Sequence, residues 1–393
     1  MRGTVARLLG SAALAVRMAL CGGAAAPRAA TNVAVIGAGA AGLCAARRCR
    51  EAGLRVSVFE QAPALGGVWR YSPGGGGPMY SQLVSNLPKE IMAYGPQEPF
   101  DKNIRSFVKH AQVLEYLEAY AERHSLGSSI RYSTRVESVR REPEAGAWRV
   151  RTRAGEEDVE ESVFDAVMIC NGHYDAAAAP PLPGLNINME DLETDTVAPG
   201  EPLPRFMHAR AYDAPAPFAG ARVLLVGARA SGTDIGREIA GVAAAVSIVD
   251  RSTQASAAGD AVVTVRPAIA RCEDLGAEGV RVSFVDGAEA TVDCVVWCTG
   301  YDYNFPFLGT DEVLVRLGLW LRGGVEAEGR RVFPLFLQLF HAAQPTLMFL
   351  GVPHSVVPFC LFDLQARLCV RFLTRGAEAA GLPARAEDML AAA

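Results

Sequence analysis

Along this chain the apolar residues gather in short β-branched runs separated by polar and glycine-rich turns. NVAVIG at 32–37 is such a run, of the kind a strand buried on both faces requires. A glycine turn and an alanine-rich amphipathic segment follow and read as a helix, and LRVSVFE reads as the next strand. The same order returns at VLLVGARASGTDIGREIAG and VAAAVSIVD, about 190 residues further on. Between the two units the Gly- and Pro-rich stretch 72–100 reads as loop, VLEYLEAYAERH as helix, and RYSTRVESVRRE and WRVRTR as strands. Two other runs, VMICNGHY and CVVWCTGY, end alike and read as crossings between domains. The expected fold class is α/β, with two nested Rossmann-like units.

Composition narrows the classes of function. The 393 residues are half hydrophobic and 21% charged, enough for two compact domains. A formal charge of -5 without any sustained Lys/Arg block gives no footprint for nucleic acid. The nine cysteines lack the spacing of a disulfide framework and read as reduced, mostly buried thiols. Residues 1–30 hold Arg2, Arg7, Arg17 and Arg28 and no acid. They fit an organelle transit peptide as well as a secretory signal, and they fit a disordered Ala-rich extension equally. The compartment is accordingly cytoplasmic, or organellar or secretory if the leader is real. No stretch is apolar over the ~18 to 20 residues that a membrane span needs.

The candidate chemistry lies in the turns. In Gly37-Ala38-Gly39-Ala40-Ala41-Gly42 the first glycine permits the tight turn, the second admits a pyrophosphate to the backbone, and the third lets helix and strand pack closely. Glu60 ends the second strand, where a carboxylate accepts hydrogen bonds from ribose hydroxyls. Gly66-Gly67-Val68-Trp69 comes next, and its glycines would let the chain pass close to a flavin diphosphate, which favours FAD for this unit. Trp69 equally suits a core position. Gly227-Ala228-Arg229-Ala230-Ser231-Gly232 keeps the outer glycines, but Arg229 stands at the centre and would crowd the pyrophosphate path. The following strand ends at Asp250-Arg251. Arg251 would pair with a 2′-phosphate and select NADPH, whereas Asp250 suits the free hydroxyl of NADH; NADPH is the expectation. These readings divide the chain into a leader or extension (1–30), a first part of an FAD-binding domain (31–180), an inserted NADP-binding domain (181–295) and a second part of the FAD-binding domain (296–393).

With those motifs in place, the sequence from about residue 32 onward resembles the flavin-containing monooxygenases. Besides the two nucleotide turns, the resemblance rests on GGVW at 66–69, SNLPKEIMAY at 85–94, HAQVLEYL at 110–117, NGHY at 171–174, CTGYDYNFPFL at 298–308 and GVPHSVVPFCLFDLQ at 351–365. It implies an enzyme with FAD and NADP as cofactors, O2 as co-substrate and a small nucleophilic amine, sulfide or thiol compound as substrate. NADPH would reduce the flavin, and a C4a-hydroperoxyflavin would wait for a soft nitrogen or sulfur nucleophile. The resemblance places Asn86 at the reaction centre, where an amide donates and accepts hydrogen bonds without giving up a proton. From local sequence alone, Asn86 before Leu87-Pro88 also suits a turn. Carried over in the same way, Val68, Trp69, Ser85 and Asn86 would contact FAD, and Ser231, Gly232, Thr233 and Asp234 would contact NADPH. No metal is implied.

The chain departs from the family pattern in three places. Of F-x-G-x-x-x-H-x-x-x-[YF], only His208 and Tyr212 survive, because Pro202 and Pro204 take the Phe and Gly positions. Together with Arg229, this puts tight NADPH retention in doubt, and His208 has a structural reading too. The chain ends at EDMLAAA where a further helix is expected. A thioredoxin-reductase type enzyme would need a redox cysteine pair, and neither Cys44/Cys49 nor Cys294/Cys298 is well placed. A Baeyer-Villiger monooxygenase, an NADPH oxidase releasing hydrogen peroxide and a catalytically degenerate FAD-binding protein would each carry the same nucleotide turns, and the sequence leaves all three open.

Overall fold

The computed structural model describes residues 31–74, 77–142, 144–156, 158–193, 196–197, 200–251, 256–257, 263–308 and 332–392. The proposed leader at 1–30 lies outside the described residues. Strand β1 (Asn32–Ile36) is buried along almost its whole length, as a β-branched run in the middle of a parallel sheet must be. Helix α1 (Ala40–Glu51) follows and leads into β2 (Arg55–Phe59), which pairs in parallel with β1. Helix α2 (His110–Arg123) buries Val113, Tyr116, Leu117, Tyr120 and Ala121, a stripe set by the 3.6-residue period. The sheet continues with β3 (Ile130–Arg131), and a meander of β4 (Thr134–Glu142), β5 (Ala147–Ala154) and β6 (Asp158–Phe164) leads to β7 (Ala166–Ile169), which pairs with the other side of β1.

After a short strand β8 (Ala176–Ala177) the chain builds a second sheet from β9 (Phe206–His208), β10 (Arg222–Val226), β11 (Ala245–Val249), β12 (Ser256–Ala257) and β13 (Val263–Arg266). Helix α3 (Ala230–Ile239) connects β10 to β11, and a second meander, β14 (Ile269–Asp274), β15 (Val280–Phe284) and β16 (Glu289–Val292), precedes β17 (Cys294–Trp297). The order is β12-β13-β11-β10-β17-β9, parallel except for β12. The chain then returns through β18 (Tyr301–Asp302) to the first sheet with β19 (Leu335–Phe336), β20 (Phe340–His341) and β21 (Leu347–Phe349). Its order is β19-β20-β21-β7-β1-β2-β3, so the first sheet takes strands from both ends of the described chain. The two crossing runs meet in an antiparallel pair, Tyr301 opposite Ala177 and Asp302 opposite Ala176.

The period-2 alternation of side chains gives each sheet two different faces. On the first, Val33, Val35 and Val58 face α1, α2 and the long helix α4 (Pro358–Ala379), while Ala34, Ile36 and Phe59 face the β4–β6 meander. On the second, Val223, Leu225 and Ile248 face α3, while Leu224, Val226 and Val249 face the β14–β16 meander. Small residues at 40–46 of α1 let it lie close on β1. Asp213 fastens the loop before Asn86 to the second sheet's domain, accepting from the Tyr71 hydroxyl at 2.8 Å and from the Ser81 main-chain N–H at 3.0 Å.

Candidate functional site

Both glycine turns stand at the C-terminal edge of their sheet, between the first strand and the helix, and their backbones repeat each other closely. Gly37 has φ +100, and a Cβ there would lie 2.7 Å from the Cys170 carbonyl oxygen; Gly227 has φ +111, and a Cβ would lie 2.8 Å from the Cys298 oxygen. A Cβ on Gly42 would fall 1.8 Å from Gly37 O, and one on Gly232 would fall 1.9 Å from Gly227 O. The outer glycines are therefore demanded by main-chain crowding. Cys170 and Cys298 end the crossing runs and pack their Cβ atoms against the third glycine of each turn, a paired role the cysteine spacing did not suggest. The signal was present in the repeat of Cys before Asn-Gly and Thr-Gly. Burial pushes the Cys298 thiol up to about 12 and the Cys170 thiol well above its usual range, so neither offers a ready thiolate. All eight cysteines in the described residues are free, and seven are buried.

The central position obeys a different rule. Gly39 has φ -75 and ψ -174, and Arg229 has φ -79 and ψ -168. This is extended backbone open to any residue, so Arg229 leaves the turn undistorted, and its side chain is exposed. What the Arg229 side chain changes is therefore the surface offered to a ligand, not the shape of the turn. In the first turn that surface meets a second loop. Gly66 donates its N–H to Ala38 O at 3.0 Å, and a Cβ on Gly67 (φ +56) would lie 2.9 Å from the Gly39 Cα. Two glycine backbones thus face each other beside the start of α1, whose first N–H groups have no acceptor within the helix. Such a cradle fits a diphosphate, which needs close backbone approach and the positive end of a helix dipole.

The predicted side chains fall into three groups. Glu60 is buried and already engaged: Oε2 accepts from the Ala38 N–H at 2.7 Å and Oε1 from the Ala62 N–H at 2.8 Å. It fixes the glycine turn, and its remaining lone pairs stay available for ribose hydroxyls. The Ser85 hydroxyl, also buried, donates to Leu87 O at 2.8 Å and accepts from the Val108 N–H at 3.0 Å, so it secures the loop that carries Asn86. Asn86 itself is exposed, and its amide makes no hydrogen bond among the described residues. Val68 and Trp69 are half-buried, and Trp69 meets Phe359 at the start of α4 edge-on at 6.4 Å. The core reading of Trp69 and its place next to the Gly67 turn hold together.

In the second unit Ser231 is exposed, and the Thr233 hydroxyl donates to Ala228 O at 3.0 Å. Asp234 accepts a hydrogen bond from the Tyr80 hydroxyl, and Glu238, one turn on, accepts from Tyr212 at 2.6 Å. Tyr80 thus engages one oxygen of the Asp234 carboxylate, because the 72–100 loop brings it across to α3 from a distant part of the sequence. Burial, then these carboxylates, push both tyrosines far above the usual phenol range. His208 is fully buried, its Nε2 3.0 Å from Gly300 O, and its Nδ1 accepts from the Arg210 N–H at 3.1 Å. Held at both ring nitrogens, His208 is a structural staple between β9 and the second crossing. Asp250 donates its main-chain N–H to Arg266 O at 2.9 Å, and Arg251 is exposed in the following turn. A cluster of His173, His354 and Tyr303 lies behind the NGHY turn, with ring centroids 4.5 to 5.4 Å apart. Burial and then the neighbouring His354 push His173 down to about 4. Among the described residues no group of three metal-binding side chains occurs, and no helix is long and apolar enough to cross a membrane.

Residues 30–259 match the family described as flavin-binding monooxygenase-like. A flavin-containing monooxygenase of Arabidopsis thaliana, FMO GS-OX5, is 34% identical over 362 residues, covering 86% of this chain and 72% of that protein. The solved structure of S-allyl-L-cysteine S-oxygenase from Allium sativum superposes with a TM-score of 0.73 at 30% identity, over 93% of this chain and 89% of that one. NADP+-bound cyclohexanone monooxygenase from Rhodococcus sp. Phi1 shares the fold, with a TM-score of 0.58 at 16% identity, 88% of this chain and 84% of that one being covered.

Proposed function

The chain belongs to the flavin-binding monooxygenase-like family and is an oxidoreductase of that kind, and from this premise we propose that it uses NADPH and O2 to oxygenate a soft nucleophile, a thioether first of all. The division at residues 31–180, 181–295 and 296–393 is part of the proposal, with FAD on the first sheet and NADPH on the second. One observation carries it: two turns share one backbone geometry, and among the described residues a second glycine loop faces the first, Gly67 upon Gly39. Thioether sulfur is preferred over amine nitrogen because the S-oxygenase from Allium sativum resembles this chain along nearly its whole length.

A bound flavin supplies electron storage and oxygen activation, and a nicotinamide nucleotide supplies the hydride. The protein's part is to bind and orient. Gly37 and Ala38 shape the first turn, their N–H groups donating to Phe59 O and Glu60 Oε2, while Gly39, Ala40, Ala41 and Gly42 present close backbone and the α1 dipole to one diphosphate. At α3 Gly227 and Thr233 shape the turn, their N–H groups donating to Val249 O and Arg229 O, and Ser231 and Gly232 present the helix N-terminus to the other. Ser85 braces the loop so that the Asn86 side chain, with no protein partner of its own among the described residues, is left to hydrogen-bond cofactor and oxygen. An amide there positions without supplying a proton, which protects a slow oxygenation from early peroxide release.

The test is stopped-flow spectroscopy of the NADPH-reduced holoenzyme mixed with oxygenated buffer. The expected result is a transient spectrum between those of reduced and oxidised flavin that decays faster when a thioether is added. A flavin that NADPH never bleaches refutes the proposal.

A further inference from the structure

We infer that Arg266 is the residue that reads the 2′-phosphate of the nicotinamide nucleotide, with Arg251 as its exposed companion. The inference rests on the nucleotide reading of the Gly227–Gly232 turn given above. Arg266 is the last residue of β13 and pairs in register with Val249, the last residue of β11. Asp250 follows Val249 and donates its N–H to the Arg266 carbonyl at 2.9 Å. Parallel sheets of this kind bind ligands outside the C-terminal ends of their strands, and the end of the second strand of the unit is where the adenosine ribose lies. Arg266 therefore stands one strand over from the ribose position, at the same height.

Its side chain is prepared for an anion. The guanidinium lies over the Phe284 ring, 5.4 Å from the centroid. Its Nε is buried without a hydrogen-bond partner, and among the described residues the side chain makes no ion pair. Arg266 as a whole is half-buried, so its side chain keeps an outlet to solvent. Three other arginines of the same domain are committed, Arg205 to Asp274, Arg222 to Asp293 and Arg281 to Glu273. A buried unpaired polar atom calls for a missing partner. A phosphomonoester supplies one, because a stacked, planar fork meets two of its oxygens at little further cost in rotamer freedom. A bare 2′-hydroxyl brings no charge to the fork. Arg251 adds a second cation, which helps to outweigh the Asp250 carboxylate beside it in the chain.

The test is calorimetric titration of the flavin-loaded protein with adenosine 2′,5′-bisphosphate and with 5′-AMP. The wild type should prefer the bisphosphate. Arg266→Met and Arg266→Gln should lower its affinity by about 10-fold or more, the loss of a charged hydrogen bond, and leave 5′-AMP within about 2-fold. Unchanged flavin absorbance and melting temperature certify the fold, and Arg266→Lys, which keeps the charge without the fork, should lose most of the preference as well. Variants that keep the full preference overturn the inference. So does a wild type that binds both ligands equally, in which case the nucleotide site stands. A wild type that binds neither overturns both readings.

Discussion

Replacing Gly67 by alanine tests the cradle at its narrowest point. Gly67 sits at φ +56, where a side chain costs about 1–2 kcal/mol through its clash with the following carbonyl. The new Cβ would also lie 2.9 Å from the Gly39 Cα, closer than side chains ordinarily approach, with only main chain to yield. Relief means parting the two loops by a few tenths of an ångström, and the opposed surfaces that move are those offered to the diphosphate. Gly53→Ala supplies the control: φ +77 imposes a comparable backbone cost, and its Cβ meets nothing within 4 Å. If the cradle binds FAD, both variants lose thermal stability, Gly67→Ala the more because of its added clash, but only Gly67→Ala weakens FAD. The loss should be about 10-fold or more in Kd, since each 1.4 kcal/mol is worth about a factor of ten. Equilibrium titration of the deflavinated protein, followed by flavin fluorescence, measures it. A Gly67→Ala protein that binds FAD within about 2-fold of wild type refutes the reasoning, as does an equal loss in Gly53→Ala.

Two more perturbations probe single groups. Glu60→Gln keeps the size but places an NH2 against one of two main-chain N–H donors, Ala38 or Ala62; this should cost about 1–3 kcal/mol, appearing as weaker FAD binding and a lower melting temperature, and an unchanged protein would refute the bracing role. His341 is fully buried with Nε2 unpaired, and burial depresses it from 6.5 to about 4. The unfolded chain therefore takes up a proton that the folded one refuses between pH 6.5 and 4, so this stability is fully present above pH 6.5 and falls with pH, by about 3 kcal/mol at the limit. In denaturant titrations from pH 7 to 4, His341→Asn, which can still accept the 2.9 Å bond from the Gln344 N–H, should flatten that acid limb; a limb of undiminished slope would show that His341 does not cause it.

The sequence by itself determined the repeated strand, turn and helix units, the crossings and the family, because these depend on short-range facts. β-branched runs select buried strands, and a glycine is needed wherever a Cβ would strike main chain, as at Gly37, Gly42, Gly227 and Gly232. The insertion of one unit within the other was legible too, since VMICNGHY and CVVWCTGY share a strand followed by Cys-x-Gly, and the chain at or just beyond their ends pairs through β8 and β18. Only the tertiary structure decided what each polar side chain does. That Asp234 accepts from Tyr80, that Ser85 is tied to Val108 and that His208 is held by Gly300 depend on partners 23 to 154 residues away that no local pattern encodes. Arg229 shows the same division: the sequence marked a side chain in the pyrophosphate path, and the structure adds that its extended backbone matches that of Gly39 and leaves the turn intact. Arg266 carried no motif at all. It became visible once parallel pairing set it beside Val249 and the second meander brought Phe284 under its guanidinium. Main-chain sterics can be read one residue at a time, whereas hydrogen bonds and charges acquire their meaning from whatever the fold brings next to them.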